Sequence, residues 1–419
     1  MADKVVRLGV GLVVWVWLAQ YLGPAQFGML NYAIAYAALF SAAAGLGLDG
    51  IVVRELIRDE SQSADVLGTA MALRLGAGLI AAVVCIVTAA LLRPSDSLAI
   101  ALVTMSSIVF VLQSSQIIDC HFQSRMRTRP AVLAVNGAFL LTSAGRLTLL
   151  AIEAPLLWFG ISLVVEAALA AALLVVAYRA DTQSIRRWQF RFDMARRLLS
   201  ESWPLLLSGL AVMFYMRLDQ IMLSAMVGDA EVGQFSAALR ISEVWYFIPM
   251  AIVTAAFPAM MKKRTEGAQA YEHFLQMLYD GMAWLGVGVA GLFSVIGPWL
   301  IGKLYGSAFS HAAEVLSVQI WAGVAVSMSF VHGKWLLAEG LQKYGLVYTV
   351  AGALLNIGLN LMLIPKFGAV GAAWATLATQ IGLLPMQIFF PRTRRNLLLM
   401  TRSIWAPYRL WGRRKNDSR

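Results

Sequence analysis

The sequence predicts an all-α integral membrane protein of about twelve transmembrane helices, and three observations lead there. First, the 419 residues are 59% hydrophobic and only 14% charged, with a mean hydropathy of +0.70. Soluble domains carry roughly 25% charged residues, so lipid must solvate much of this surface. Second, the apolar residues form continuous runs near the 20 or so that cross a bilayer as helix, not the alternating ten-residue segments of membrane strands. Third, the basic residues alternate from loop to loop in a pattern that only an even number of spans preserves.

The first span falls near residues 5–22. Lys4, Arg7 and the apolar stretch Leu8 to Ala19 imitate a signal peptide, but no small-x-small cleavage site follows, so an uncleaved helix is expected. Further spans fall near 29–48, 66–92, 98–118, 131–151, 156–178, 203–227, 235–260, 275–300, 313–333, 345–364 and 369–390. The segments assigned to the inside carry 26 Lys and Arg, among them Arg54, Arg58, Arg125, Arg127, Arg129, Lys262 and Lys343; those outside carry three, Arg93, Lys303 and Lys366. That split places both termini in the cytoplasm. It also makes the net charge of +11 a topology signal and not a nucleic-acid footprint.

The longest polar stretch, Tyr178 to Ser202, divides the spans six and six. The expected organisation is an N-terminal bundle at 1–178, a basic cytoplasmic linker at 179–202, a C-terminal bundle at 203–390 and a basic tail at 391–419 resting on anionic headgroups. A short repeat supports the division. Leu22-Gly23-Pro24-Ala25-Gln26-Phe27-Gly28 and Val227-Gly228-Asp229-Ala230-Glu231-Val232-Gly233 lie at equivalent places, each with two glycines five apart and Gln or Glu among them. Copies with even numbers of spans run parallel, related by an axis along the membrane normal.

Several further segments follow in order. They are Gly47-Leu48-Asp49 with Arg54-Glu55-Leu56, Tyr215-x-Arg217-x-Asp219-Gln220, Val232-Gly233-Gln234-Phe235, Leu304-Tyr305-Gly306 with Phe309, and Asn356-x-x-x-Asn360 leading to Ile364-Pro365-x-Phe367-Gly368-Ala369. Together with the Gly23 loop they resemble the polysaccharide-transporter flippases (Wzx type, for O-antigen and exopolysaccharide repeat units) of the multidrug/oligosaccharidyl-lipid/polysaccharide exporter superfamily. The resemblance implies two six-helix bundles around a central cavity, working by alternating access. It implies an undecaprenyl-pyrophosphate-linked oligosaccharide as cargo, moved from the cytoplasmic to the periplasmic leaflet of a bacterial inner membrane, with a polymerase and a chain-length regulator as partners. It implies no enzyme activity.

Charges inside spans cost roughly 2.5–3.5 kcal/mol each on insertion scales, so each one present calls for a role. Arginine offers a planar fork of donors that stays charged and suits phosphate and acidic sugars. Arg54, Arg74, Arg146 and Arg217 are therefore candidate substrate contacts, with Arg240, Asp219, Asn356 and Asn360 beside them. Arg240 and Glu243 are three apart and suited to a local ion pair. Glu166, Asp219 and Asp280 are candidates for binding a coupling proton or sodium ion; no other cofactor and no metal is expected. The competing reading is that the arginines pair with these acids and only hold helices together. A drug or cation antiporter would favour unpaired acids, and a membrane glycan polymerase would show a long external loop that this chain lacks.

Three other signals are set aside. Gly45-Leu46-Gly47-Leu48-Asp49-Gly50 matches GxGxxG but ends an apolar helix instead of following a strand. No GxxxxGK[ST] loop is present, and His121, His273, His311 and His332 are scattered.

Overall fold

The computed structural model describes residues 2–182 and 185–404. Residues 183–184 of the expected linker and the tail beyond Ile404, with Trp405, Tyr408 and Trp411, lie outside the described residues, as do the side chains of Lys4 and Arg186. Among the described residues the chain is helical with no strand.

Ten helical stretches are long and apolar enough to cross a membrane. Two of them contain a backbone break. Helix α1 (Ala2–Gly45) is interrupted at Gly23, with φ 68° and ψ 173°. An unbroken helix of that length would run about 66 Å, twice the roughly 30 Å of a hydrocarbon core. The last long helix, Gln342–Met386, breaks in the same way at Gly368, with φ 54° and ψ −134°. Counting each broken helix as two gives twelve spans, in the order read from the hydropathy pattern.

Between these two run α2 (Asp49–Arg58), α3 (Ser63–Leu92), α4 (Ser97–Gln113), α5 (Ile117–Ser124), α6 (Arg129–Ala151), α7 (Leu156–Thr182), α8 (Phe192–Val227), α9 (Asp229–Val244), α10 (Phe247–Glu266), α11 (Ala268–Tyr305) and α12 (Ser310–Ala338). The Gln342–Met386 helix is α13, and α14 (Arg394–Ile404) follows it.

Local chemistry explains where the elements depart from the expected spans. The span expected at 98–118 stops at Gln113 and tightens into a 3₁₀ turn, because Ser114 and Ser115 donate their hydroxyls back to the Val111 and Leu112 carbonyls. Helix α8 begins at Phe192, well before the expected 203, since its first turns bury Met194, Ala195 and Leu198 against α2, α3 and α5. In the turn after α2, Ser61 and Gln62 donate to Asp59 and hold its carboxyl below the usual range. The loop arginines at this end meet acids: Arg125 bonds Glu60 at 2.8 Å and Asp181 at 3.3 Å, and Arg191 bonds Asp65 at 3.2 Å.

The chain forms two compact units, Met1–Ser224 and Ala225–Arg419. This division by packing comes after α8, not within residues 179–202, because α8 packs on the first unit. In the second unit, α14 is seated on α11 and α12. Tyr279 donates to Asn396 at 2.9 Å, Asn396 lies 2.7 Å from His332 Nδ1, Trp284 donates to the Ser403 carbonyl at 3.1 Å, and Arg395 pairs with Glu272.

The repeat is also conformational. Gly228, the counterpart of Gly23, has φ 97° and ψ 170°, so both copies break the backbone at the same position of the motif. In the second copy Glu231 uses the break in α13: its Oε2 accepts the Ala369 N–H at 2.8 Å, capping the helix that restarts after Gly368.

Gly47 (φ 64°) makes the turn into α2, and an added Cβ would sit 2.9 Å from both Leu205 Cβ and the Leu206 backbone nitrogen. Gly47→Ala is expected to cost about 1–3 kcal/mol and to lower the melting temperature of detergent-purified protein. Gly50→Ala, in α2 with open space around it, is expected to leave it unchanged or higher.

Candidate functional site

The first unit holds two adjoining cavities of about 320 Å³ and about 300 Å³. Ser41, Phe110, Gln113 and Gln116 line both, so only a thin wall separates them. Each has on its wall one acid that pairs with a buried arginine.

In the larger cavity, between α1, α4, α6 and α7, Glu166 of α7 reaches the wall with Arg7 of α1. Behind it Arg146 of α6 is buried, donating Nη2–H to Glu166 Oε2 at 2.8 Å and Nε–H to Ser162 Oγ at 2.9 Å. Arg7 lies 3.6 Å from the other Glu166 oxygen. Two guanidinium groups thus face one carboxylate, leaving a surplus of one positive charge. Glu166 has both oxygens engaged, which makes it a counter-ion for arginine.

In the smaller cavity, Arg74 of α3 is buried and donates Nη2–H to Asp49 Oδ1 at 2.6 Å. Asp49 opens α2, and α8 closes the cavity with Leu205, Gly209 and Met213. Ser41, Gln113, Ser114 and Gln116 supply its neutral polar groups.

The other expected residues fall elsewhere. Arg54 is 58% exposed and pairs with Glu201 of α8 and, at 3.3 Å, with Glu55. Arg217 is half-buried in α8, with no ion pair or hydrogen bond recorded among the described residues; Asp219, two positions on, is buried. Arg146 is not among the residues lining either cavity. In the second unit Arg240 and Glu243 are half-buried on α9. Asn360 donates to Asn356 at 2.9 Å, one turn apart on α13 and both buried, a bond within one helix and not between helices. Asp280 accepts from Gln276 at 2.7 Å on α11. Three contributors escaped the sequence reading as site residues: Asp49, Glu55 and Arg7. The first two stand in the Gly47–Leu56 motif, but a partner 25 residues away for Asp49 and 142 away for Glu55 leaves no local signal.

The fold, with its apolar spans and buried charges, defines a polytopic helical membrane protein. The chain belongs to the polysaccharide biosynthesis protein family, whose model matches residues 3–263; a second model, MatE, matches residues 204–362. Among curated relatives, a probable low-salt glycan biosynthesis flippase of Haloferax volcanii, Agl15, is 25% identical over 58% of this chain and 49% of its own length. A probable flippase of the same organism, AglR, is 30% identical over 41% of this chain and 37% of its own length. A probable multidrug resistance protein of Caulobacter vibrioides, NorM, is 28% identical over 47% and 44%. The chain thus spans about half or less of the length of these relatives. They are flippases or transporters, not enzymes.

Two solved structures share the fold over nearly the whole chain. An inward-facing multidrug resistance MATE family transporter of the MOP superfamily has a TM-score of 0.72 at 15% identity, covering 94% of this chain and 96% of that one. The lipid II flippase MurJ in an inward closed conformation has a TM-score of 0.71 at 14% identity, covering 98% and 91%.

Arg146→Met is expected to destabilise the protein by roughly 1–3 kcal/mol, because it removes the closer of the two guanidinium partners of Glu166 and leaves only Arg7. Combining it with Glu166→Leu is expected to recover more than half of that loss. Thermal unfolding of the single and double variants checks this, and strictly additive losses would refute the pairing as the cause.

Proposed function

We propose that this protein flips undecaprenyl-pyrophosphate-linked oligosaccharide repeat units from the cytoplasmic to the periplasmic leaflet of a bacterial inner membrane, for O-antigen, capsule or exopolysaccharide assembly. The observation that carries the proposal is the pair of adjoining cavities inside a membrane-spanning unit, each beside a buried arginine and lined with hydroxyls and amides. A pyrophosphate must cross a region where charge is poorly solvated, and fixed guanidinium groups lower that cost. Neutral serine and glutamine side chains suit sugar hydroxyls. Membership of a polysaccharide biosynthesis family and the likeness to the two Haloferax flippases support the same cargo class.

Both termini are placed in the cytoplasm by the charge distribution, and alternating access of the 1–178 and 203–390 bundles moves the cargo. Arg54, Arg74, Arg146, Arg217, Arg240, Asp219, Asn356 and Asn360 form the candidate set for binding and for holding the binding groups. Asp219 and Asp280 are the candidates for coupling to a proton or sodium gradient, since Glu166 is committed to arginine. The polymerase and chain-length regulator of the same assembly route are its expected partners. The likeness to NorM favours a second reading, drug or cation export. Against it stands the pairing of Asp49 and Glu166 with arginines, because these are the acids on the walls of the two cavities among the described residues.

In a strain lacking this gene and the polymerase, lipid-linked repeat units are expected to accumulate intact on the cytoplasmic face and to reach the periplasmic face when the gene is restored. Normal arrival without the gene would refute the flippase reading and favour drug export. Arg217→Gln removes a charge with no partner recorded among the described residues. It is expected to leave abundance unchanged and to cut transport about 10- to 100-fold, the loss of one charge-assisted hydrogen bond. Full transport by this variant would exclude Arg217 from the binding set.

A further inference from the structure

Arg74 meets the smaller cavity with only part of its bonding capacity used. Its side chain is 4% exposed and its Nη2 is held by Asp49, yet its Nε–H is buried without an acceptor. Leaving a buried donor unmade is unfavourable. The Nε–Nη2 edge of a guanidinium is also a fork that takes a carboxylate or phosphate by two parallel bonds. Asp49 takes only Nη2, with a single oxygen, and its side chain is 68% exposed, so water already competes for it. Cys120 Sγ, 3.7 Å from the same Asp49 oxygen, adds only a weak donor. Among the described residues, Asp49 and Arg74 are the charged ones on the cavity wall. An anion that displaces Asp49 therefore meets no second carboxylate.

Asp49 is also the first residue of α2. Six residues on, roughly 9 Å along the helix, Glu55 is buried among three guanidinium groups: Arg197 of α8 at 2.7 Å, Arg54 at 3.3 Å and Arg58 at 3.5 Å. Arg54 pairs with Glu201 of α8 as well. Helix α2 is thus held along one face by Leu48, Ile51, Val52 and Leu56 in the core, at its start also by the cavity's arginine and near its end by the first turns of α8, all within the first unit.

We propose that the 300 Å³ cavity is an anion subsite in which Asp49 is a displaceable counter-ion and α2 a relay. A phosphate or carboxylate group of the substrate takes both the Nε–H and an Nη2–H of Arg74. Asp49 is expelled, and the first turn of α2 keeps its core contacts through Leu48, Ile51 and Val52 but loses its charged contact to the cavity. The change is passed toward α8 through Glu55, which stays bonded to Arg197. This rests on the flippase reading above and goes beyond it by giving an acid, Asp49, the role of competing with the substrate. The two chemical sources of the anion are the polyprenyl pyrophosphate and an acidic sugar of the cargo.

The test uses full-length protein in detergent, titrated calorimetrically with farnesyl pyrophosphate, with glucuronate and with glucose as the neutral control. Asp49→Asn is expected to bind one of the anions about tenfold more tightly than the unmodified protein, and Arg74→Gln at least tenfold more weakly. Arg74→Lys, which keeps the charge without the fork, is expected to fall between them. Glucose binding should be the same in all. The anion whose affinity follows these substitutions identifies the source. Amide hydrogen exchange gives the second readout: the anion should speed exchange at residues 49–52 in the unmodified protein, and Asp49→Asn should show that speed without it. Equal or weaker anion binding by Asp49→Asn overturns the proposal, and this variant decides alone should Arg74→Gln fail to fold. If farnesyl pyrophosphate binds all variants alike and glucuronate binding does not follow them, the subsite is wrong and the flippase reading stands. If the unmodified protein binds neither anion, both fail.

Discussion

A guanidinium group inside a bilayer cannot shed its charge near neutral pH, so every buried arginine fixes the position of something else. Much of the first unit follows from meeting that demand twice. Arg146 takes Ser162 and Glu166, which draws α6 to α7, and the remaining Glu166 oxygen reaches toward Arg7 on α1. Arg74 takes Asp49, which requires α2 to start where it does. The start of α2 in turn requires the left-handed turn at Gly47, whose missing side chain lets α8 lie directly against it. Cavities form beside these pairs because the arginines and their acids hold the helices in place while small residues, such as Ala37, Ala38, Ser41 and Gly45, leave space between them.

Helix α8 joins the two halves of the chain in a way that a count of spans does not capture. By sequence it opens the second copy of the repeat; by packing it belongs to the first unit. Its amphipathic first turns, Phe192 to Ser202, explain this. Met194, Ala195 and Leu198 enter the core under α2, while Arg197 and Glu201 bond Glu55 and Arg54. The last part of the polar stretch that reads as a linker, from Phe192 to Ser202, is therefore an anchored helix end.

What the sequence revealed and what it withheld follow one physical divide. Spans were legible because insertion into lipid depends on local hydropathy, and the breaks at Gly23 and Gly368 fell where two apolar runs met. The early start of α8 was not legible, since Arg196, Arg197 and Glu201 mask the buried face beneath them. Individual charges stood out, and Arg74, Arg146 and Glu166 were named from rarity alone. Their partners were not, because Asp49 and Arg7 sit where charge is cheap in sequence terms, at a helix end and near the chain start. Only folding brings them to the arginines. Asn356 and Asn360 were the opposite case: their bond is local to one helix, between residues one turn apart.

The Glu231 cap on α13 has a consequence for the order in which the chain is made. Its acceptor oxygens leave the ribosome 138 residues before the Ala369 N–H that one of them receives. During that interval five helices, α9 to the first half of α13, enter the membrane while this carboxylate lacks its final partner. The restarted half of α13 lacks its cap unless that acid is waiting. The last span of the second unit thus closes on a group delivered by the first helix of the same unit, 138 residues earlier in the chain.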